Sequence, residues 1–316
     1  MLARKKDDDF HFYVKTTNMT HNKTLTYRPE SRCIATSADA NYFPALMALL
    51  RSIRRVDEDL KVIVFDGGLT LRQKKLVQRS AEIIPKRPVV RIKGTGKFSY
   101  IGNTTLLKLE TSELDIEKVL YLDADMLVME NLDPLFDFPE GRVGVVKEVN
   151  SVKNMFRMRH RKYMMDNIDI QWEGRGFNAG LFALRPSEWR DLKEKAVSLI
   201  SDFGEDIFSK SKDQQLLNII FNGKTHEFPS RYNFSPFYDD KRAEQPAIIH
   251  YLSEVKPWHM PYEQGHYYDE FRDNIRIFEF PEIFFVDLFR KIRAVKRKAI
   301  NTFYSVIDEP RDARTI

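Results

Sequence analysis

The stretch Lys118-Val-Leu-Tyr-Leu-Asp-Ala-Asp-Met-Leu-Val-Met129 decides how the rest of the chain is read. Val119, Leu120, Tyr121 and Leu122 form an unbroken apolar run, the pattern of a strand buried on both faces of a sheet. Asp123 and Asp125 follow it directly. Two carboxylates this close repel one another, and both lose hydration where the strand buries. A hard divalent cation removes the conflict, because carboxylate oxygens suit magnesium and manganese. The carboxyl ends of strands in an open α/β sheet are also where ligands bind. A calcium loop would carry further acids and a glycine at its turn, and Met126-Leu-Val-Met129 supplies neither. A phosphatase that forms an aspartyl-phosphate would carry Thr where Leu127 stands. The plainest alternative is a surface turn with two solvated acids, and the segments on either side weigh against it.

Toward the N-terminus, Arg32-Cys-Ile-Ala-Thr-Ser37 reads as the first strand, and Pro44 opens a helix with Leu46, Leu49, Leu50 and Ile53 on one face. Lys61-Val-Ile-Val-Phe-Asp66 is a second buried strand, ended by Gly67-Gly68. The spacing predicts an amphipathic helix over 71–83, a third strand over 88–92 and a helix over 104–114. Beyond Asp125, a turn of helix is expected at 131–136, strands at 142–146, 177–184 and 247–251, and helices from Pro186 to Ser201 and from Asp213 to Ile220. The segment 150–176 lacks a clear period, and connections of that length are usually lids or acceptor loops. The alternation of strand and helix predicts an α/β fold, a mostly parallel mixed sheet with helices on both faces.

Composition narrows the class. With 316 residues, 42% of them hydrophobic, the chain can bury a substantial core. No run reaches the roughly eighteen apolar residues of a membrane span, and the basic start at Arg4-Lys5-Lys6 is not followed by the apolar core of a secretory signal. The single cysteine, Cys33, rules out an internal disulfide and fits a reducing compartment. In such a compartment the Asn-x-Thr/Ser triplets at Asn18, Asn22, Asn103 and Asn233 are chance matches. Three parts are expected: a loose leader at 1–30, a main domain at 31–280 and a basic amphipathic tail at 281–316. In the tail, Phe285, Leu288, Phe289, Ile292 and Val295 recur at helical spacing, while Arg290, Lys291, Arg293, Lys296, Arg297 and Lys298 crowd the remaining surface. That pattern fits an anionic membrane surface, hence a peripheral protein on the cytoplasmic face. The net charge of +5 comes with no base-stacking module, so nucleic acid is not an expected partner.

Further polar segments stand where a folded core has no need of them. Asp39, Asn41 and Tyr42 follow the first strand, on the sheet edge expected to hold Asp123; capping the next helix is the simpler role for Asp39 or Asn41. Asn178-Ala-Gly180 offers a small-residue backbone for close approach. Asp213 opens a helix, where the dipole favours an acid whatever its function. His250 ends a strand, and Lys256-Pro-Trp258 follows in a turn.

In combination the segments resemble the retaining glycosyltransferases of family 8, the group of lipooligosaccharide galactosyltransferases and glycogenin. The resemblance covers about residues 32–260. It rests on Ala-Asp-x-Asn-Tyr at 38–42, Thr-Leu-Leu-Lys-Leu at 105–109 and Val-Leu-Tyr-Leu-Asp-Ala-Asp at 119–125. Phe-Asn-Ala-Gly at 177–180, Asp-Gln-x-x-Leu-Asn at 213–218, Arg-Tyr-Asn-Phe at 231–234 and His-Tyr-x5-Pro-Trp-His at 250–259 follow in the family's order. The bacterial branch is the more similar.

The resemblance implies a GT-A, Rossmann-like fold, a UDP-galactose or UDP-glucose donor, a Mn²⁺ ion (or Mg²⁺), and a glycan or glycolipid acceptor. It assigns Asp123, Asp125 and His250 to the metal, and Ala38, Asp39, Asn41 and Tyr42 to the uridine. Lys256 would meet the diphosphate, Ala124 and Ala179 would line the donor site, and Lys108, Asn178 and Asp213 would bind the sugar. Gln214 would lie beside the anomeric carbon, so Gln214 and Asp213 are the expected catalytic residues. Ser253 departs from the family's glycine at that position. Two other functions compete: a self-glucosylating glycogen primer, and a silent sugar-nucleotide-binding protein. The second would be favoured by loss of Asp123, Asp125 or His250, and all three are present.

Overall fold

The computed structural model describes residues 13–14, 30–86, 90–91, 104–208, 213–236, 245–252, 256–258 and 267–275. Its strands in chain order are β1 (Tyr13–Val14), β2 (Glu30–Ala38), β3 (Val62–Asp66), β4 (Glu82–Pro85), β5 (Val90–Arg91) and β6 (Ile116–Leu122). There follow β7 (Met126–Val128), β8 (Val143–Ser151), β9 (Arg175–Leu184), β10 (Thr225–Phe228) and β11 (Ile248–His250). The helices are α1 (Phe43–Val56), α2 (Leu71–Val77), α3 (Met158–Asn167), α4 (Leu192–Phe203), α5 (Asp213–Ile220) and α6 (Tyr268–Asp273). Seven strands form one sheet in the order β10-β8-β9-β6-β2-β3-β4. Only β9 runs antiparallel to its neighbours β6 and β8; the other pairings in this sheet are parallel.

The apolar runs are buried on both faces, as their lack of alternation requires. Leu120 and Leu122 of β6 join Ile34, Val64 and the α1 residues Leu46, Leu49 and Leu50 in one core. Val119 and Tyr121 join Cys33, Ile63 and Phe65 in the other, closed by Leu192 and Ile200 of α4 and Leu216 and Leu217 of α5. Each large apolar side chain buried in this way contributes about 1.5–3 kcal/mol, more than the differences in helix propensity among ordinary residues, about 0.7 kcal/mol at most. Packing therefore decides most of the elements.

Where that signal is weak the sequence-based expectations fail. The helix expected over 71–83 ends at Val77, and Glu82–Pro85 is instead the edge strand of the sheet, paired in parallel with β3. Ile83 keeps the helical spacing of the residues before it, so the turn between them left no mark in the periodicity. Of the strand expected over 88–92, only Val90–Arg91 lie among the described residues, and they pair with Tyr13–Val14 outside the main sheet. Thr105–Glu113 is a 3₁₀ helix, and Pro186 opens only a 3₁₀ turn before α4 begins at Leu192. The aperiodic segment 150–176 contains α3, in which Met164 alone is buried. The expected basic helix of the tail lies outside the described residues. Among those residues, no helix is long and apolar enough to cross a membrane.

The reversed strand and one small pair of strands build the site. β6 ends where β9 begins, and the Asp123 N–H donates to the Gly180 carbonyl at 2.7 Å. β7, directly after Asp125, pairs antiparallel with β11 in a register that sets His250 opposite Met126. The Tyr251 N–H then donates to the Asp125 carbonyl at 3.1 Å. Residues 57 positions and more apart in sequence are thus fixed around one strand end by backbone hydrogen bonds alone.

Candidate active site

Asp123, Asp125 and His250 offer two carboxylate oxygens and an imidazole nitrogen that all lie within 4.8 Å of one another. Asp125 is nearly buried: its Oδ2 accepts from Lys256 Nζ at 2.7 Å, and its Oδ1 lies 3.3 Å from His250 Nε2. Burial alone would raise the Asp125 carboxyl, but Lys256 and His250 overcome it and hold the group well below the usual carboxylate range. Asp123, more open to solvent, accepts on Oδ1 from Lys108 Nζ at 3.2 Å. The same ammonium lies 2.5 Å from Asp213 Oδ2 and donates to the Ala179 carbonyl at 2.9 Å. Lys108 is buried, which opposes its charge, yet Asp123 and Asp213 prevail and raise it above the ordinary lysine range. The three carboxylates of Asp123, Asp125 and Asp213 thus face two ammonium groups, a formal balance of −1 with His250 neutral. Asp125 Oδ1 lies against His250 Nε2, and a carboxylate oxygen of Asp123 lies within 4.8 Å of an imidazole nitrogen of His250. This donor set, two carboxylates and one imidazole around an excess of negative charge, fits a divalent ion of the magnesium or manganese kind.

Gly180 is required for that convergence. A β-carbon there would sit 2.4 Å from His250 Cε1 and 2.9 Å from Asp123 Oδ2. Beside it runs a set of amides. Asn178 Nδ2 donates to Gln214 Oε1 at 3.0 Å, and Gln214 Nε2 donates to Glu148 Oε1 at 3.1 Å. Asn178 Oδ1 accepts from the Gly180 N–H at 2.9 Å and from Asn233 Nδ2 at 3.3 Å. Asn218, one turn after Gln214, donates to the Phe177 carbonyl and accepts from the Phe177 N–H, tying α5 to the start of β9.

At the end of β2, Asp39 Oδ1 accepts from the N–H groups of Asn41 and Tyr42 at 2.8 and 3.1 Å, a local turn ahead of α1. The N-cap of α1 is Tyr42, with no side-chain cap bond, so the simpler capping role expected of Asp39 or Asn41 is not what the structure shows. Tyr42 sets its ring edge-on to Trp258, 5.5 Å between centroids, which places Trp258 in the same wall. Burial first, then Asp125, Asp123 and Asp39, raise the Tyr42 hydroxyl above the ordinary tyrosine range. Ala38, Ala124 and Ala179 are buried. The Ala38 carbonyl accepts from the Gly67 N–H at 2.9 Å, so β2 and β3 end together.

The structure therefore brings together, around β6 and β9, Lys108, Asp123, Asp125, Asn178, Asp213, Gln214, His250 and Lys256. Asp39, Asn41 and Tyr42 stand along the same sheet edge. Ser253 lies outside the described residues. Sequence reasoning missed Asn233, Glu148 and Trp258 as parts of the site. Asn233 and Trp258 lie inside the Arg-Tyr-Asn-Phe and Pro-Trp-His motifs, whereas nothing local distinguishes Glu148 from any acid near a strand end.

Three comparisons bear on the class. The Glycosyl transferase family 8 model matches residues 33–261. The lipopolysaccharide 1,2-glucosyltransferase of Escherichia coli is 28% identical over 255 residues, covering 72% of each chain. Glycosyltransferase GlyA of Streptococcus pneumoniae is 25% identical over 246 residues, 72% of this chain but 32% of that protein, so this chain spans about a third of it. Among solved structures, an active-site mutant of LgtC superposes with a TM-score of 0.63 at 23% identity, covering 76% of this chain and 94% of that one. The fold is GT-A. The chain belongs to glycosyl transferase family 8.

The packing at Gly180 is directly testable. Gly180→Ala should cost about 1–3 kcal/mol in urea denaturation, as overpacking of a filled site does. An unchanged midpoint would mean that β9 and His250 are not in the contact described.

Proposed function

We propose that this chain is a retaining, manganese-dependent hexosyltransferase moving galactose or glucose from a UDP-sugar to a glycan or glycolipid acceptor of lipopolysaccharide type. The observation that carries the reading is the Asp123–Asp125–His250 donor cluster between two buried lysines. The name of the Escherichia coli relative supports the acceptor class, and one solved structure of the galactosyltransferase LgtC is in complex with donor and acceptor sugar analogues.

Breaking the bond between a sugar and a diphosphate builds negative charge on the departing oxygen. An ion bound at the cluster would supply Lewis-acid neutralisation of that charge. It would also turn the formal balance of −1 into +1, the sign a diphosphate needs. Lys256, now on Asp125, would add its charge to the diphosphate as the donor enters. Asp39, Asn41 and Tyr42 would hold the uridine, with Ala38, Ala124 and Ala179 giving backbone contacts. Lys108, Asp213 and Asn178 would hold the sugar. Gln214 would face the anomeric carbon. An amide is a poor nucleophile, but its oxygen stabilises a carbon that becomes cationic. The acceptor hydroxyl would then attack from the face the diphosphate leaves, with a phosphate oxygen taking its proton. One solved LgtC structure is that of an active-site mutant in which glutamate replaces a glutamine, so a glutamine belongs to the active site of that protein too.

In this reading residues 31–280 are the catalytic domain, 1–30 a leader, and 281–316 an anchor to an anionic membrane on its cytoplasmic side. Six cations lie between Asp287 and Asp308 with no acid among them. Each basic residue near such a surface contributes on the order of 1 kcal/mol.

With Mn²⁺, one of UDP-galactose and UDP-glucose should release UDP, EDTA should abolish the release, and Asp125→Asn should cost at least about a hundredfold. The product should be the α anomer by NMR. Full turnover by Asp125→Asn, or a β product, would overturn the reading. The full chain should also sediment with anionic vesicles and be released by high salt, and truncation after residue 280 should abolish this while sparing UDP release. Equal sedimentation of both proteins would remove the membrane role.

A further inference from the structure

The polar side chains beside the donor cluster form one chain of hydrogen bonds with a single direction. That direction does not depend on how amide oxygen and nitrogen are told apart, because two of its contacts allow no choice. The Gly180 backbone N–H can only donate, and it meets Asn178 Oδ1 at 2.9 Å. This turns Asn178 Nδ2 toward Gln214 Oε1. Gln214 Nε2 therefore points at Glu148 Oε1, and an ionised carboxylate can only accept. An obligate donor and an obligate acceptor, on different strands, demand the same arrangement.

The hydrogen bonds continue toward His250. Asn178 Oδ1 also meets Asn233 Nδ2, so Asn233 presents Oδ1 to His250 Nδ1 at 2.8 Å. An oxygen acceptor at that distance requires Nδ1 to carry hydrogen. The backbone holds Asn233 in place: the His250 N–H donates to the Phe234 carbonyl at 2.7 Å, and Phe234 bridges to Ile249. Hydrogens then point one way from His250 through Asn233, Asn178 and Gln214 to Glu148. Reversing one amide alone would set like poles face to face.

We infer that Asn233 is a positioning residue of the candidate metal centre: it accepts from His250 Nδ1–H, leaving the Nε2 lone pair for the ion, and through Asn178 links that ligand to the orientation of Gln214. The inference rests on the reading of Asp123, Asp125 and His250 as metal ligands. Partners that fix a ligand histidine commonly matter about 10–100-fold in metal affinity.

Two substitutions separate the two contacts of Asn233. Asn233→Asp keeps an acceptor for Nδ1–H and loses the donor to Asn178; Asn233→Leu loses both. Two readouts apply to the full chain: the Mn²⁺ dissociation constant from the EPR signal of the free ion, and ¹⁵N NMR of the His250 ring, assigned by its loss in His250→Gln. NMR spectra are taken without metal and with Mg²⁺. In the wild type, Nδ1 should carry hydrogen in both spectra. Asn233→Leu should bind Mn²⁺ about 10–100-fold more weakly and show both tautomers. Asn233→Asp should keep the wild-type ring state and bind Mn²⁺ within a few-fold. An unprotonated Nδ1 in the wild type, or wild-type affinity in Asn233→Leu, overturns the inference. The wild-type spectrum decides the tautomer even where a variant fails to fold. Failure of wild-type protein to bind Mn²⁺ despite a protonated Nδ1 would instead overturn the metal reading on which the inference rests.

Discussion

The constraint on which this end of the molecule depends is the convergence of three carboxylates, Asp125 and Asp213 buried and Asp123 partly open to solvent. Two unit charges 4 Å apart interact by about 4 kcal/mol at an effective dielectric of 20, and a whole domain is stable by only about 5–15 kcal/mol. Three uncompensated carboxylates would use up much of that margin. Lys108 and Lys256 are buried for this reason: each brings a positive charge to the acids and satisfies a backbone carbonyl, of Ala179 and of Tyr251 respectively. Removing one partner of such a buried pair commonly costs about 3–5 kcal/mol. The lysines leave one negative charge over, and that remaining charge is what a divalent ion is suited to meet.

Topology brings the groups to one place. β6 and β2 run parallel, so Asp123 and Asp39 follow strands that end on the same edge. β9 runs the other way, so its first half, Asn178 to Gly180, reaches that edge. β11 does not join the main sheet; it pairs with β7 just after Asp125 and delivers His250 and, through Phe234, Asn233. Gly180 allows these pieces to close to contact. A larger residue there would separate strand, acid and imidazole at once.

The main strands were legible in the sequence because a strand buried on both faces leaves an unbroken apolar run, as in Val62–Asp66 and Val119 to Leu122. Asp123 and Asp125 stood out because Asp-Ala-Asp follows such a run, whereas His250 joined them only through the resemblance to the family, since a lone histidine at a strand end is more often a packed core side chain. Edge strands were not legible. Glu82–Pro85 and Thr225–Phe228 are short and half exposed, so their side chains carry little pattern. α3 was hidden for the same reason, with one buried side chain in ten residues. The amide chain lay beyond sequence reasoning for a different cause. Glu148, Asn178, Gln214 and Asn233 are spread over 86 positions, and their contacts arise only once β8, β9 and α5 are packed.

In the proposed site, Asp123, Asp125 and His250 receive a divalent ion that completes the charge balance. Anomalous diffraction at the manganese edge, from crystals grown with Mn²⁺ and UDP, tests it most directly. The expected map has one strong peak in bonding contact with both carboxylates and His250 Nε2, with Lys256 Nζ moved from Asp125 onto the diphosphate. A site that stays closed by Lys256 on Asp125, with manganese absent or bound elsewhere, would contradict it.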